Sequence, residues 1–237
     1  MLKKKISRSN FFYKPYLFYN LFVHHKYFLK RKSYSQFQED LFISSYFKNK
    51  KIGFYVDIGC FHPIMYSNTA LLYNKGWKGI NIDVNQTSID LFNIIRKRDK
   101  NFCAAISNKN SNVISYIDHS FSPINSINKI FFDKIVSNFS NGSFLKKKLK
   151  AYKFSDFLED NNFRLNYIDF LNIDAEGHDF EVLQGFDFES LNVKLVCVEM
   201  FGSKGEINYN KFIEFFRNYG YRYIKSIGPN GFFENNN

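Results

Sequence analysis

The sequence predicts a three-layer α/β fold built on a mostly parallel sheet, with one antiparallel strand near the C-terminal end. Three observations lead there. From residue 33 onward, short apolar runs alternate with helical segments. Most of these runs are apolar throughout, as strands covered on both faces must be. The last two runs are separated only by Gly228-Pro229-Asn230, a turn that reverses the chain and implies an antiparallel edge strand. With 237 residues and 45 % hydrophobic content, the chain can bury one good-sized core and carry a short appendage.

The appendage is residues 1–32. It carries nine of the 33 Lys/Arg and no acid, whereas the remaining 205 residues hold 24 basic and 22 acidic groups. Basicity concentrated in an arm rather than spread over a folded face argues against nucleic acid as a partner. Residues 11–23 are strongly aromatic, but Lys14, Pro15 and Asn20 interrupt them. The stretch is too short and polar to span a bilayer, and no small-residue cleavage site follows it. Alternating Tyr, Phe and Lys suit peripheral contact with an anionic membrane surface; the plainer readings are a loose extension, or a first helix packed on the body. Cys60, Cys103 and Cys197 lie far apart without metal-type spacing. They read as small core residues in a reducing compartment, which places the protein in the cytoplasm, at the inner membrane surface if the arm binds lipid.

The body, residues 33–237, opens on a helix from Ser35 to Phe47, with serine as N-cap and apolar residues 37, 41, 42 and 46 at helical spacing. Strand 53–58 follows, then a helix from Ser67 to Lys75 ending at Gly76, and a second strand from Gly79 to Asp83. A helix from Thr87 to Arg98 carries the stripe Ile89, Phe92, Ile95; a third strand runs from Phe102 to Ile106, and Val113–Ile117 reads as an added edge strand. Residues 118–150 are rich in Ser and Asn and contain Lys146-Lys147-Lys148, so they read as a long irregular segment of the functional kind. Then come a helix from Phe154 to Asn161, a strong strand from Tyr167 to Ile173, a helix ending near Gln184, an all-apolar strand from Val193 to Met200, a helix from Asn210 to Tyr219, and the strands Tyr221–Ser226 and Gly231–Glu234.

A doubly wound sheet binds its ligand beyond the carboxyl ends of its strands. Asp57, Asp83, Ser107 and Asp174 all fall at such ends. In Val56-Asp57-Ile58-Gly59 the glycine lets a ligand approach the backbone. Asp83, 24 residues beyond Gly59, is placed to accept hydrogen bonds from ribose hydroxyls. The turn after the first strand, Gly59-Cys60-Phe61-His62-Pro63, has one glycine only, so a pyrophosphate would lack its cradle of amides. NAD, FAD and ATP are thereby disfavoured. A cofactor with ribose and adenine but no phosphate fits better, and S-adenosyl-L-methionine is the obvious one.

With these pieces in place the sequence resembles the FkbM family of S-adenosylmethionine-dependent methyltransferases. The likeness rests on Ser35–Asp40, Tyr55–Pro63, Ser67–Thr69, Gly76–Gly79, Ile82–Asn85, Ala105–Ser107 and Phe170–His178, in order and at matching spacing. The chain departs from the family pattern in carrying Asp83-Val84 where Glu-Pro is usual. The resemblance implies a class I methyltransferase (Rossmann-like) fold with a seven-stranded sheet, and methyl transfer, commonly to oxygen. A sugar hydroxyl of a polysaccharide or glycolipid is the acceptor it suggests.

The expected cofactor contacts are Asp57 and Gly59 near the amino-acid end, Asp83 at the ribose with Asn85 in support, Ser67 and Asn68 at the carboxylate through helix N-terminal amides, Ser107 at its strand end, and Gln38 and Asp40 as a cover. His62 is a further contact candidate. The catalytic candidates are Asp174, Glu176 and His178, one of which would take the proton of an acceptor hydroxyl. His178 suits neutral pH, and a helix start favours its uncharged form. The plainer reading is that Asp174 and Glu176 cap the following helix and His178 stabilises the turn. Asp174 and Glu176 could instead hold Mg²⁺; a site without a metal is the preferred expectation. The alternative functions are a non-catalytic binding protein on this fold, or a membrane- or RNA-associated protein acting through its arm.

Overall fold

A computed structural model describes residues 11–27, 31–139, 144–202 and 205–236. Seven strands form the main sheet: β1 (Phe54–Ile58), β2 (Lys78–Asp83), β3 (Lys100–Cys103), β7 (Tyr167–Ile173), β8 (Asn192–Glu199), β9 (Tyr221–Ile227) and β10 (Asn230–Asn235). Their order is β3-β2-β1-β7-β8-β10-β9. A second, three-stranded sheet joins β4 (Ala105–Ile106), β6 (Leu145–Tyr152) and β5 (Ser111–Ile117), in that order. The helices are α1 (Tyr13–Tyr19), α2 (Glu39–Tyr46), α3 (Ala70–Asn74), α4 (Gln86–Ile95), α5 (Lys129–Phe139), α6 (Phe154–Asp160), α7 (Asp179–Gln184) and α8 (Tyr209–Asn218).

Both faces of the main sheet are buried, and the two-residue period of each strand sorts its side chains between them. Val56, Leu171, Val196 and Val198 pack on one side against Phe154, Phe157, Val182 and Phe216 of α6, α7 and α8. Tyr55, Phe170, Leu195 and Cys197 pack on the other against Ile43 of α2, Leu72 of α3 and Trp77. This two-sided burial is why the strands read as continuous apolar runs.

The sheet is mixed rather than mostly parallel. Parallel pairing joins β3, β2, β1, β7 and β8, whereas β10 pairs antiparallel with both β8 and β9. The antiparallel strand is not at the edge either: β10 lies inside, with Phe232 opposite Cys197, and β9 takes the edge. The side chains explain the order. Phe232 and Phe233 are fully buried, while Arg222 of β9 is exposed, as suits a strand with one open side.

Two further expectations are corrected. The third strand divides at Ala104: β3 stays in the main sheet and β4 enters the small one, where Val113–Ile117 also belongs rather than at the main edge. Residues 118–150 hold regular structure, α5 and β6. The lysine run within β6 resembles a loop because its side chains are exposed, yet its backbone pairs with β5 from Leu145↔Ile117 to Ala151↔Ser111. In the arm, α1 is a first helix packed on the body; its Tyr13 and Leu17, and Leu21 in the turns that follow it, are buried against Ile64 and Leu91. No helix among the described residues is long and apolar enough to cross a membrane.

Candidate active site

The strand order reverses between β1 and β7, whose neighbours β2 and β8 run outward from them. A doubly wound sheet opens a crevice at the carboxyl ends at such a point, and a cleft of about 970 Å³, including its solvent-open mouth, lies there. Asp57, Gly59, Ser67, Asn68, Asp83, Asp174, Glu176 and His178, all candidates from the sequence, line it.

The first turn is held by its neighbours. Gly59 and Cys60 donate to the carbonyl of Ile82 at 2.9 and 3.3 Å, and Asp174 donates its amide to Ile58 at 2.9 Å. Gly59 has φ +77°, and a Cβ built there would sit 1.6 Å from the carbonyl oxygen of Asp174. The glycine is therefore required first by the close approach of the β1 and β7 ends, before any ligand enters.

Asp83, the last residue of β2, accepts from the amides of Phe61 at 2.8 Å and Asn85 at 2.7 Å. Burial raises its pKa to about 6 against the opposing pull of those two amides. Asp57 is equally buried and accepts from Thr69 Oγ1 at 2.7 Å and Asn172 Nδ2 at 2.9 Å, while Asn68 donates to Asn172 at 2.9 Å. Burial raises the Asp57 pKa as well. The Pro63–Ser67 stretch is pinned from behind by Arg96, 1 % exposed, which donates to the carbonyl of Pro63 at 2.8 Å, to Ser67 Oγ at 3.1 Å and to Tyr55 Oη at 2.9 Å.

The turn after β7 brings the acids together. Burial lifts the pKa of Asp174 to about 7, helped by the charges of Asp57 and Glu39. Glu176, with an uncommon positive φ of 52°, is raised well above the carboxylate range by burial and by Asp174. Asp179 accepts from the amides of Ala175 at 2.6 Å and Gly177 at 3.1 Å, so it is Asp179 and not Asp174 or Glu176 that shapes the start of α7. His178 Nε2 lies 2.9 Å from Ser107 Oγ, and burial lowers its pKa, which keeps the ring neutral near pH 7. Loop 118–128 is tied over this turn: Ser126 Oγ donates to the carbonyl of Glu176 at 2.8 Å and Asn128 Nδ2 to that of Gly177 at 2.7 Å.

Several expected contacts lie elsewhere. Gln38 and Asp40 do not line the cleft. Asp40 instead gathers Ser33 Oγ, the amide of Tyr34 and Ser35 Oγ, so α2 starts at Glu39 and not at Ser35. Asn85 caps α4 by accepting from the amide of Thr87 at 3.0 Å and donates to the carbonyl of Ser120; it holds the loop rather than facing the cleft. Ser107 acts behind His178. Helix α3 begins only at Ala70, so Ser67 and Asn68 precede it and offer no first-turn amides. His62 accepts from the amides of Ile64 and Met65 and meets Asn20, a buried structural role.

Sequence reasoning misses Glu199, Asn172, Gln36 and Tyr66, all of which line the cleft. Glu199 carries the same signal as Asp57 and Asp83, a carboxylate at the carboxyl end of an apolar strand, but one acid is easily passed over in residues 193–200. Asn172 is likewise a lone polar residue in a buried run.

A mixed seven-stranded sheet with its cleft at this reversal fits the class I methyltransferase fold. A profile of the methyltransferase FkbM domain matches residues 52–223, and the chain belongs to that family. It is a methyltransferase by that membership. No curated protein and no solved structure matches the chain.

Proposed function

We propose that the chain uses S-adenosyl-L-methionine to methylate a hydroxyl, on a sugar of a polysaccharide or glycolipid. One observation carries the reading: five carboxylic residues (Asp57, Asp83, Asp174, Glu176, Glu199) line the cleft, and no Lys or Arg among the described residues does. Such a lining suits a ligand bearing ammonium and sulfonium charges and ribose hydroxyls, and disfavours a phosphate. Asp83 would hold the ribose, and Asp57 with Asn68 and Asn172 the amino-acid end. The cofactor would supply an activated methyl group, so the protein's task is alignment and removal of one proton. His178, uncharged at neutral pH, would take the proton that the acceptor hydroxyl loses on methylation. Ser107 fixes the imidazole. Gln36, Tyr66, Ser122, Asn125 and Ser126 add neutral hydrogen-bonding groups to the lining, in keeping with a polyhydroxyl acceptor.

Titration calorimetry tests the cofactor. The parent is expected to bind S-adenosylmethionine, and Asp83→Asn to bind it about ten- to a hundredfold more weakly, the loss of a charge-assisted hydrogen-bond pair. Equal affinity in a folded variant, or none in the parent, would sink the reading.

We also propose that the arm rests on an anionic membrane surface. Phe11 is 88 %, Phe12 64 % and Phe18 50 % exposed, in an arm that is purely basic in sequence. Sedimentation with phosphatidylglycerol vesicles should pull down the parent, less so at high salt, and should fail for the double variant Phe18→Ser, Phe22→Ser. Vesicle binding that is indifferent to those two residues would remove this reading.

A further inference from the structure

We propose that Asp174, Asp179 and Glu199 bind one hard divalent cation, of the magnesium or manganese class, at the carboxyl ends of β7 and β8. One carboxylate oxygen from each lies within 4.8 Å of the others, the span of two oxygens placed about 2.4 Å from a shared ion on opposite sides. Little movement is therefore needed to close on an ion. The ligands come from three fixed points: Asp174 directly after β7, Glu199 as the last residue of β8, and Asp179 as the first of α7.

An independent feature points the same way. Glu199 is 9 % exposed, and its Oε2 has no hydrogen-bond partner among the described residues. A buried carboxylate oxygen without a donor is costly, and nature rarely leaves one unless something fills the gap. No Lys or Arg among the described residues lines this cleft, so no side-chain cation there offsets three clustered acids, and Asp57, Glu39 and Asp83 add further negative charge around Asp174. Asp179 is already oriented by two backbone amides, which position its carboxylate as outer partners position a metal ligand. An all-oxygen set without His or Cys selects hard cations over zinc or copper.

The role of the ion rests on the methyl-transfer reading above. Waters or an acceptor hydroxyl would complete its shell, and its charge would make that hydroxyl a stronger acid, easing proton loss to His178.

The test is a titration of the full chain with MnCl₂, followed by electron paramagnetic resonance and calorimetry, without cofactor or acceptor. One saturable ion per chain, displaced by MgCl₂, is expected. Glu199→Gln and Asp174→Asn should each weaken it by about tenfold or more, while circular dichroism shows both variants folded. A folded parent without saturable binding overturns the proposal, as does binding unchanged in both variants. Calorimetry with S-adenosylmethionine in excess EDTA separates the two readings. Cofactor binding without manganese binding removes only the ion; the converse removes only the cofactor.

Discussion

Replacing Gly59 with alanine is expected to destabilise the protein by about 3–5 kcal/mol, and to abolish cofactor binding where the variant still folds. The added methyl would meet the Asp174 carbonyl oxygen at 1.6 Å and its carbon at 2.6 Å. Neither atom can yield, because Asp174 and Gly59 are both held in ladders that continue β7 and β1. Gly76 supplies the control. It has φ +98°, but a Cβ added there would meet nothing within 4 Å, so Gly76→Ala should cost only the backbone strain, about 1–2 kcal/mol. Thermal melts of the two variants decide the matter. Equal losses would mean that left-handed strain alone, and not the contact between strand ends, makes glycine necessary at position 59.

The second large effect has opposite signs in stability and activity. Asp174→Asn should raise the melting temperature at pH 8 by about 4–8 °C, equivalent to about 2 kcal/mol in a chain of this size, while lowering methyl transfer by about tenfold or more through the lost ion ligand. Burial and the surrounding acids lift the Asp174 pKa to about 7, whereas in the unfolded chain it returns to about 3.9. The folded state thus binds the extra proton, and stability falls as pH rises from about 4 through about 7. Asparagine removes that loss. The gap between parent and variant should therefore be widest near pH 8 and close near pH 4, where both carry a neutral group at this position. A gap independent of pH, or a variant less stable at pH 8, would contradict the assignment.

The fold and the strand-end residues of the cleft are legible in the sequence because their signals are local. An apolar run ending in a carboxylate and one glycine, as in Val56–Gly59, needs only the adjacent residues to be read, and Asp83 and Asp174 repeat the pattern. What escapes depends on pairing between distant segments. Nothing in Leu145–Tyr152 announces a strand until β5 stands beside it, because exposed lysines give no alternation to detect. Asp40 has the position of a cover for the cleft, but its partners Ser33 and Ser35 lie close by in sequence, and the short-range hydrogen bonds prevail. Glu199 is legible in principle, yet a single acid at the end of eight residues does not alter the impression of an apolar strand.

The interior position of β10 also orders events in time. Residues 230–235 are synthesised after the other described strands of the sheet, and until they emerge β8 presents an unpaired flank at Leu195, Val196, Cys197 and Val198. Asn230 also donates to Glu39 at 2.8 Å, linking this late strand to the first helix of the body. A growing chain can pair β1, β2, β3, β7 and β8, but it must keep a sticky apolar edge out of contact with other chains until β10 has emerged. The vulnerable interval is thus the time between the emergence of β8 and that of β10.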